Sequence, residues 1–387
     1  MQALSTLLGL PQHRFASIHV VGTNGKSSVT RMVAALLEAH GVPSGACVSP
    51  HAARWSERVL LHGEEIGAAE FASAVERAAQ AAETVNRSLP DGEAVTQFEL
   101  ATAAAFVALA ASRIEAAAVE AGLGGRLDAT NTIPSRVTVL TSVGLDHTEW
   151  LGESEEQIAA EKLAVLRDHS TLVVGRVSPA VAALAERTAA DRGAKLIVAP
   201  EDPGPELRLR APGPFQRRNF ALACAAAEAF LGELEPERVG AVASGLEIPG
   251  RLERVPGEPP VLLDAAHNPD GAAALAEALP EAAAGRPVVA VMAILADKDA
   301  AAIVEALAPV VERGVSTEVS GGRPAFEAIE LARVCERAGL SAEPEPDFAV
   351  AVARGRELAL ELGGVLLITG SHYALAPARA ALGLCED

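Results

Sequence analysis

The sequence is poor in aromatic residues and cysteine, and it lacks a long apolar run. Acidic residues outnumber basic ones by 51 to 32, which gives a net charge of −19. That charge argues against nonspecific binding to nucleic acid or to an anionic membrane. No apolar stretch is long enough to span a bilayer, and no basic segment followed by an apolar run opens the chain, so we expect a cytoplasmic protein.

The four cysteines are widely separated and form no C-x-x-C pair. They are Cys47, Cys224, Cys335 and Cys385. This spacing indicates neither a disulfide framework nor a zinc site, and we expect buried free thiols. The 387 residues are half hydrophobic and 21% charged, so the chain is globular, with two or three domains.

Lysine is also scarce, because arginine supplies nearly all of the basic residues. The four lysines are Lys26, Lys162, Lys195 and Lys298. A chain that uses arginine wherever a cation suffices favours lysine where a compact ammonium or a reactive amine is needed.

A phosphate-binding loop is predicted near the N-terminus. Ile18 to Val21 has the pattern of a buried strand, two glycines follow, and Val29 to His40 has helical apolar spacing. The G-x-x-x-x-G-K-[ST] motif matches in part, since its first glycine falls at Val20. Gly-rich turns before helices also occur in proteins that bind no phosphate. The residues predicted to bind nucleotide phosphates are Gly22, Thr23, Asn24, Gly25, Lys26, Ser27 and Ser28.

Two further apolar strands end in groups that could bind a ligand. Ala116 to Val119 is followed by Glu120 and a Gly-rich run, and Val137 to Val143 is followed by Asp146-His147. Carboxyl ends of strands are where α/β sheets bind ligands, and a carboxylate there can hold Mg²⁺. A solvated glutamate and a structural histidine are the alternatives.

The remaining chain alternates strands and helices, which predicts an α/β protein with a parallel sheet. Pro200 to Pro214 is predicted to be a connection that contains a short strand. We place the domain boundary at Pro249-Gly250-Arg251. Residues 1–248 then form a P-loop-type ATPase domain, and residues 249–387 form a smaller doubly wound, Rossmann-like domain. The segment from Ser49 to Arg58 is either an ordered loop over a site or an ordinary surface connection.

Taken together, these segments resemble the folylpolyglutamate synthase/dihydrofolate synthase family, a branch of the Mur ligases. The resemblance runs in order over nearly the whole chain. Its motifs are Gly22-Thr23-Asn24-Gly25-Lys26, Ser49-Pro50-His51, Glu57-Arg58, Gly124-Gly125-Arg126-Leu127-Asp128-Ala129-Thr130-Asn131, Asp146-His147, Glu161-Lys162, Gln216 with Asn219, Pro249-Gly250-Arg251-Leu252-Glu253, Asp264 with His267-Asn268-Pro269, Asp297-Lys298-Asp299 and Gly370-Ser371-His372-Tyr373.

The resemblance implies an ATP-dependent ligase that converts a pterin carboxylate to an acyl phosphate, which L-glutamate attacks. The acceptor would be dihydropteroate, a reduced folate or both. One or two Mg²⁺ ions would be held by Ser49, Glu120 and His147. Lys162 matches a lysine that is carbamylated in this family. The catalytic residues implied are Lys26, Glu120, His147 and Lys162.

The resemblance also implies the remaining binding residues. ATP would contact Asn219, Arg251 and Asp264, and the pterin substrate would contact Arg126 and Asp128. Glutamate would lie around His267 and Ser371 in the second domain. Catalysis would then require domain closure, with a hinge at Pro249-Gly250. We expect a monomer that binds neither nucleic acid nor membrane.

Three other functions are weighed against this one. A Mur-type ligase acting on a non-folate carboxylate would share most of the motifs, but the run from Gly124 to Asn131 favours folate. A non-catalytic ATP-binding protein is disfavoured because Lys26, Glu120, His147 and Lys162 are all present. A nicotinamide dehydrogenase is disfavoured because no G-x-G-x-x-G follows the first strand. Ser27 departs from the glycine usual after the family's loop lysine.

Overall fold

The computed structural model describes residues 1–320 and 323–384, which form two compact units. The first comprises Met1–Leu209 and Arg217–Leu246, and the second comprises Arg210–Gln216 and the chain from Glu247 onward. The assignment of separate roles to residues 1–248 and 249–387 stays a prediction. Within the described ranges, no helix combines the length and apolarity needed to cross a membrane.

The elements of the first unit are numbered in chain order. Its helices are α1 (Gln2–Leu7), α2 (Lys26–Ala39), α3 (Ala68–Asn86), α4 (Gln97–Ala111), α5 (Thr148–Leu151), α6 (Glu155–Leu163), α7 (Pro179–Asp191), α8 (Pro214–Leu231) and α9 (Pro236–Gly245), and the first three residues of α8 belong to the second unit. Its strands are β1 (Ala16–Val21), β2 (Ser44–Cys47), β3 (Val59–Leu61), β4 (Glu64–Glu65), β5 (Ala116–Glu120), β6 (Val137–Leu140), β7 (Thr171–Val174) and β8 (Lys195–Val198).

The strands of this unit form an eight-stranded sheet in the order β4-β3-β2-β5-β1-β6-β7-β8. The six strands from β2 to β8 in that order pair in parallel, which confirms the predicted parallel core. The edge hairpin β3–β4 is antiparallel and was not predicted. His62 and Gly63 both have positive φ there, at 52° and 85°, as a two-residue hairpin turn requires.

Strand β1 lies at the centre of the sheet, between β5 and β6. Ile18, Val20 and Val21 are fully buried, as expected for a strand with helices on both faces. The central position places the loop after β1 at the carboxyl edge of the sheet, beside the ends of β5 and β6. The order of the strands therefore brings Glu120 and the residues after Leu140 to the loop that opens α2.

The predicted short strand between Pro200 and Pro214 is wrong. The structure places no strand between β8 and α8, a stretch that is described throughout. The guanidinium of Arg217 donates to the carbonyl oxygens of Gly204 and Leu207, at 2.6 and 2.7 Å. Those carbonyl groups are therefore satisfied by a side chain rather than by a neighbouring strand.

The second unit contains six strands and five helices within the described residues. The strands are β9 (Glu253–Val255), β10 (Val261–Leu263), β11 (Val288–Met292), β12 (Arg313–Ser316), β13 (Ala342–Pro344) and β14 (Val365–Thr369). The helices are α10 (Pro269–Ala282), α11 (Ala300–Leu307), α12 (Ala328–Arg337), α13 (Phe348–Glu361) and α14 (Leu375–Ala381).

These strands pair in the order β13-β12-β11-β14-β10-β9, and all neighbours are parallel except β10 and β9. The smaller doubly wound sheet expected from the sequence is therefore confirmed. Its core includes Leu279 of α10, Met292 of β11 and Leu367 of β14, all fully or almost fully buried. Each contributes roughly 1.5–3 kcal/mol of burial.

The described cysteines are free, as expected. Cys47 and Cys335 are buried, and Cys224 is half-buried. Burial raises the pKa of Cys47 and Cys224 to about 12, so neither is a thiolate near neutral pH. Cys385 lies outside the described residues.

Candidate active site

The loop between β1 and α2 has the geometry of a phosphate-binding loop. Gly25 has φ of 83° and immediately precedes Lys26, the first residue of α2. A Cβ atom on Gly25 would lie 2.6 Å from Asn219 Oδ1, and one on Gly22 would lie 1.8 Å from Thr141 Oγ1. Close approach to neighbouring atoms therefore requires glycine at both positions. The first N–H groups of α2 point toward the loop and favour an anion there.

The end of β6 holds this loop in place. Thr141 Oγ1 donates to the carbonyl oxygen of Asn24 at 2.6 Å, and Ser142 Oγ accepts from the backbone N–H of Asn24 at 3.0 Å. The backbone N–H of Thr23 donates to the carbonyl oxygen of Ser142 at 2.9 Å. The strand therefore ends at Leu140, before the predicted Val143, and the next two residues bind the loop. Its backbone is preorganised for a ligand.

Glu120 lies where the sequence predicts a metal ligand, at the end of β5. Its carboxylate is almost completely buried. Oε1 accepts from Ser27 Oγ at 2.9 Å, and Oε2 accepts from the backbone N–H of Ser49 at 2.8 Å. The structure therefore joins Glu120 to the residue after Lys26 and to the Ser49 segment.

This arrangement fits Mg²⁺. A carboxylate beside the hydroxyl that follows a P-loop lysine supplies hard oxygen ligands of the kind that hold Mg²⁺ in P-loop enzymes. Ser27 was not among the predicted metal ligands, although the Lys26-Ser27 pair matches G-K-[ST] and could have indicated it. Among residues 1–320 and 323–384, no cluster of three or more His, Cys, Asp and Glu side chains could hold a metal. A metal here would therefore need hydroxyl or phosphate oxygens as well.

His147, another predicted metal ligand, precedes α5 in a left-handed conformation with φ of 53°. Its Nε2 atom lies 3.9 Å from Asp146 Oδ1, and the ring is partly exposed. The backbone N–H of His147 donates to the same Asp146 oxygen at 3.0 Å. Asp146 thereby orients the turn that presents the imidazole. Whether His147 binds a metal stays a prediction.

Lys162 projects from α6 into the protein and is almost completely buried. Its Nζ atom donates to the carbonyl oxygen of Gly22 at 2.9 Å. Burial and, secondarily, the positive charge of Lys26 lower the pKa of Lys162 to about 7, although the charges of Asp146 and Asp128 oppose the shift. A substantial neutral fraction is therefore present near neutral pH, as a reactive amine requires.

The Gly-rich segment Gly122–Asn131 packs directly on α6. A Cβ atom on Gly125 would lie 2.7 and 2.8 Å from the carbonyl oxygens of Glu161 and Lys162. The backbone N–H of Arg126 donates to the Glu161 carbonyl at 3.0 Å, and Arg126 Nε donates to Glu161 Oε1 at 2.9 Å. The predicted substrate residue Arg126 is thus exposed and paired with the neighbour of Lys162.

The segment from Ser49 to Arg58 is ordered by its own side chains. The carboxylate of Glu57 accepts backbone N–H groups from residues 52–54 at 2.7 to 3.0 Å. Trp55 packs against His51 in a tilted arrangement with ring centroids 4.4 Å apart, and the guanidinium of Arg58 lies 4.5 Å from the centroid of Trp55. This favours the ordered-loop interpretation over that of an ordinary surface connection.

In the second unit, Asp264 follows β10 and is buried. Its two oxygens accept the backbone N–H groups of Leu252 and Ala266, each at 2.8 Å. Burial raises the pKa of Asp264, while the charge of Arg251 and these two hydrogen bonds oppose the shift. The predicted nucleotide residues Arg251 and Asp264 are therefore neighbours within this unit.

The predicted glutamate-binding residues also belong to the second unit. His267 Nδ1 donates to the carbonyl oxygen of Ala265 at 2.8 Å. Asn268 caps α10 by accepting the N–H of Gly271. Ser371 is buried, and its Oγ accepts the N–H of Tyr373 at 3.2 Å. These contacts orient the side chains and leave their binding roles as predictions.

Comparison with known proteins identifies this chain as a protein with two Mur ligase domains. Residues 20–203 match the Mur ligase middle domain, and residues 250–372 match the Mur ligase glutamate ligase domain. The dihydrofolate synthase/folylpolyglutamate synthase of Mycobacterium tuberculosis is 36% identical, over 86% of this chain and 76% of that protein. The enzyme of the same name from Bacillus subtilis is 28% identical, over 99% and 94%.

Solved structures agree with these matches. The M. tuberculosis folylpolyglutamate synthase complexed with ADP and AMPPCP has a TM-score of 0.93 and 32% identity, covering 100% of this chain and 95% of that one. The bifunctional Yersinia pestis enzyme complexed with AMPPNP and Mn has a TM-score of 0.84 and 29% identity, covering 98% and 92%. This chain belongs to the folylpolyglutamate synthase/dihydrofolate synthase family of ATP-dependent glutamate ligases in folate metabolism.

The electrostatic link between the two site lysines yields a prediction. Because the charge of Lys26 lowers the pKa of Lys162, Lys26→Gln should raise that pKa. Competitive acetylation of Lys162 in carbon dioxide-free buffer, followed across pH by mass spectrometry, measures the shift. Lys195→Gln, which removes an equal charge from an exposed position on β8, should leave the Lys162 profile unchanged. An unchanged or lowered Lys162 pKa in Lys26→Gln would contradict the assigned interaction.

Proposed function

We propose that this chain joins the amine of L-glutamate to the carboxylate of dihydropteroate, of a reduced folate, or of both. The observation that carries the proposal is the convergence of three features at the carboxyl edge of one sheet. These are the preorganised loop after β1, the pair Ser27–Glu120, and the buried amine of Lys162. Phosphoryl transfer depends mainly on positioning and charge neutralisation, which these groups supply.

In the proposed reaction, an acceptor carboxylate oxygen attacks the γ-phosphorus of ATP and ADP leaves. The resulting acyl phosphate is attacked at carbon by the glutamate amine, and phosphate leaves with the former carboxylate oxygen. Lys26 and the loop amides would hold the β- and γ-phosphates. The same loop and the N-terminus of α2 would offset the negative charge that gathers on the transferred group.

The proposed metal is one or two Mg²⁺ ions, which would neutralise phosphate charge and orient the phosphoryl group when bound. Glu120 with Ser27, and Ser49 with His147 by family resemblance, would supply ligands. The Yersinia pestis relative, which was solved with AMPPNP and Mn, supports a divalent cation in this family. Glu120 also holds the backbone of Ser49 in place, so its carboxylate serves the site in two ways.

We also propose that Lys162 is carbamylated. Its amine, with a pKa near 7, attacks carbon dioxide, and a proton is lost as the carbamate forms. The product is a carbamate anion next to Gly22, the residue at which the phosphate loop begins. Added bicarbonate should increase turnover of the wild-type enzyme and leave the residual rate of Lys162→Gln unchanged. An equal response of both proteins would contradict carbamylation at this residue.

The remaining proposed contacts follow the family motifs. ATP would meet Asn219 in the first unit, and Arg251 and Asp264 in the second. The contact of Gly25 with Asn219 supports the first of these roles, since it places the amide at the phosphate loop. Arg126 and Asp128 are proposed for the pterin substrate, and His267 and Ser371 for glutamate. An Escherichia coli relative solved with DHPP and ADP supports a pterin-type acceptor.

Phosphate release from ATP tests the proposed function. The enzyme is incubated with Mg²⁺ and L-glutamate, and with dihydropteroate, with tetrahydrofolate or without an acceptor. We expect release that requires an acceptor and is accompanied by one new amide bond per phosphate. No phosphate release with either acceptor, despite measurable ATP binding, would contradict the proposal and favour a non-folate carboxylate as the acceptor. Acceptor-independent release would contradict coupling to ligation.

Loss of either central charged group should abolish most turnover. Lys26→Ala and Glu120→Gln should each lower kcat by roughly 10²–10³-fold, because each removes a charge that acts on the phosphates or their metal. Steady-state kinetics and thermal melting measure activity and folding. Lys195→Ala and Glu233→Gln change exposed residues of the same types and should leave kcat unchanged. A folded Lys26→Ala or Glu120→Gln protein with near-normal kcat would remove that residue from the mechanism.

A further inference from the structure

A buried relay of side chains joins β1 to the Gly-rich segment. His19 of β1 is fully buried, and its Nε2 lies 2.8 Å from Thr130 Oγ1. The Thr130 hydroxyl donates to Asp128 Oδ1 at 2.5 Å. The other oxygen, Oδ2, accepts the backbone N–H of Leu123 at 2.9 Å. The side chains of His19, Thr130 and Asp128 thus form a chain of hydrogen bonds. It connects β1 to the backbone N–H of Leu123, near the start of the Gly-rich segment.

The protons of the relay can be assigned from chemistry. A threonine hydroxyl carries one hydrogen, and Thr130 uses it for the Asp128 carboxylate, which has none to donate. His19 must therefore donate from Nε2, with Nδ1 unprotonated. Burial, and secondarily the charge of Arg167, lower the pKa of His19 to about 3, so the ring is neutral. The relay has one direction, from imidazole to hydroxyl to carboxylate.

The fold alone does not account for an imidazole at this position. His19 Nδ1 is buried, and no hydrogen-bond partner for it occurs among the described residues. Its neighbours in β1, Ile18 and Val20, are apolar and fully buried. An apolar side chain at residue 19 would leave no unsatisfied nitrogen in the sheet. What the histidine adds is the Nε2–H directed at Thr130.

The far end of the relay lies in the segment that packs on α6 beside Lys162. Asp128 closes the Gly-rich segment on itself, and the same segment packs on the carbonyl groups of Glu161 and Lys162. The Asp128 charge also acts on the buried amine of Lys162. At the near end, β1 continues from His19 into Gly22 and the phosphate loop. The relay thereby fixes the position of the Gly-rich segment relative to the strand that leads into the phosphate loop.

We propose that His19 is a positioning residue that acts through Thr130 to hold Asp128, and with it the segment Gly122–Asn131, in the conformation that binds the acceptor carboxylate substrate. This inference rests on the proposed function, because it concerns the acceptor of that reaction. It assigns to Asp128 an organising role within the segment, in addition to any direct contact with the substrate.

Two substitutions break the relay and a third serves as a matched control. Thr130→Val and His19→Leu should each raise the acceptor KM about tenfold, while the ATP KM and thermal midpoint change little. Thr138 lies opposite His19 on β6, is also fully buried, and its hydroxyl has no partner among the described residues. Thr138→Val should therefore leave both KM values unchanged. Equal behaviour of Thr130→Val and Thr138→Val would overturn the proposal.

A conservative variant separates positioning from packing. The amide nitrogen of glutamine is as many bonds from Cβ as Nε2 of histidine, so His19→Gln should restore most of the acceptor KM lost in His19→Leu. A His19→Gln protein no better than His19→Leu would overturn the donor role. If His19→Leu does not fold, Thr130→Val and Thr138→Val still decide whether the hydroxyl that His19 contacts positions the segment, and a His19→Gln protein with the acceptor KM of Thr130→Val would overturn the donor role.

Hydrogen exchange supplies a readout that does not depend on turnover. Peptides covering Gly122–Asn131 should exchange about tenfold faster in Thr130→Val than in wild type, because the Asp128–Leu123 contact loosens, and should be unchanged in Thr138→Val. Equal exchange in the three proteins would overturn the relay. Absence of acceptor-dependent turnover in the wild type would instead count against the proposed function, and exchange of the same peptides in His19→Leu and His19→Gln would still decide the role of His19.

Discussion

The hydrogen bond from Lys162 to the carbonyl oxygen of Gly22 is the interaction on which the site depends most. Its donor is an amine that α6 carries into the protein, and its acceptor begins the loop that leads to Lys26. A lysine buried in this way loses hydration, and its lowered pKa records that cost. The fold accommodates the cost because the glycines at residues 22 and 125 let the phosphate loop and the Gly-rich segment approach their neighbours closely. The buried amine therefore ties α6 to the phosphate loop, and the backbone carbonyl groups of the same helix contact the Gly-rich segment.

Much of the fold follows from sequence because its strands are short apolar runs followed by glycine or polar residues. β5 and β10 illustrate this, since each runs directly into the carboxylate, Glu120 or Asp264, that it presents. The hairpin β3–β4 was harder to foresee, because β4 is two glutamates long and its apolar signal is correspondingly weak. The connection after β8 was misassigned since its carbonyl groups are satisfied by Arg217, a partner that periodicity does not reveal.

The sequence predicted individual residues of the candidate site but not the contacts between them. Lys26 and Glu120 were recognisable from motif and strand position, and Lys162 from the family resemblance. The bond between Ser27 and Glu120, however, joins residues 93 positions apart, and that between His19 and Thr130 spans 111 positions. Such pairs depend on β1 lying between β5 and β6, which local spacing does not specify. The sequence signal for the second pair is a polar residue, His19, within an apolar strand. Its role could be inferred only after the structure identified Thr130 as its hydrogen-bond partner.

The central claim is that the acceptor carboxylate is activated by phosphorylation. The most direct measurement uses an acceptor labelled with ¹⁸O in both carboxylate oxygens, with ATP and L-glutamate in ordinary water, and follows the released phosphate by mass spectrometry. The account predicts one ¹⁸O atom in each phosphate, because the acyl phosphate transfers its bridging oxygen when the amide forms. Phosphate without ¹⁸O would show that ATP hydrolysis does not pass through the acceptor, and would contradict the account.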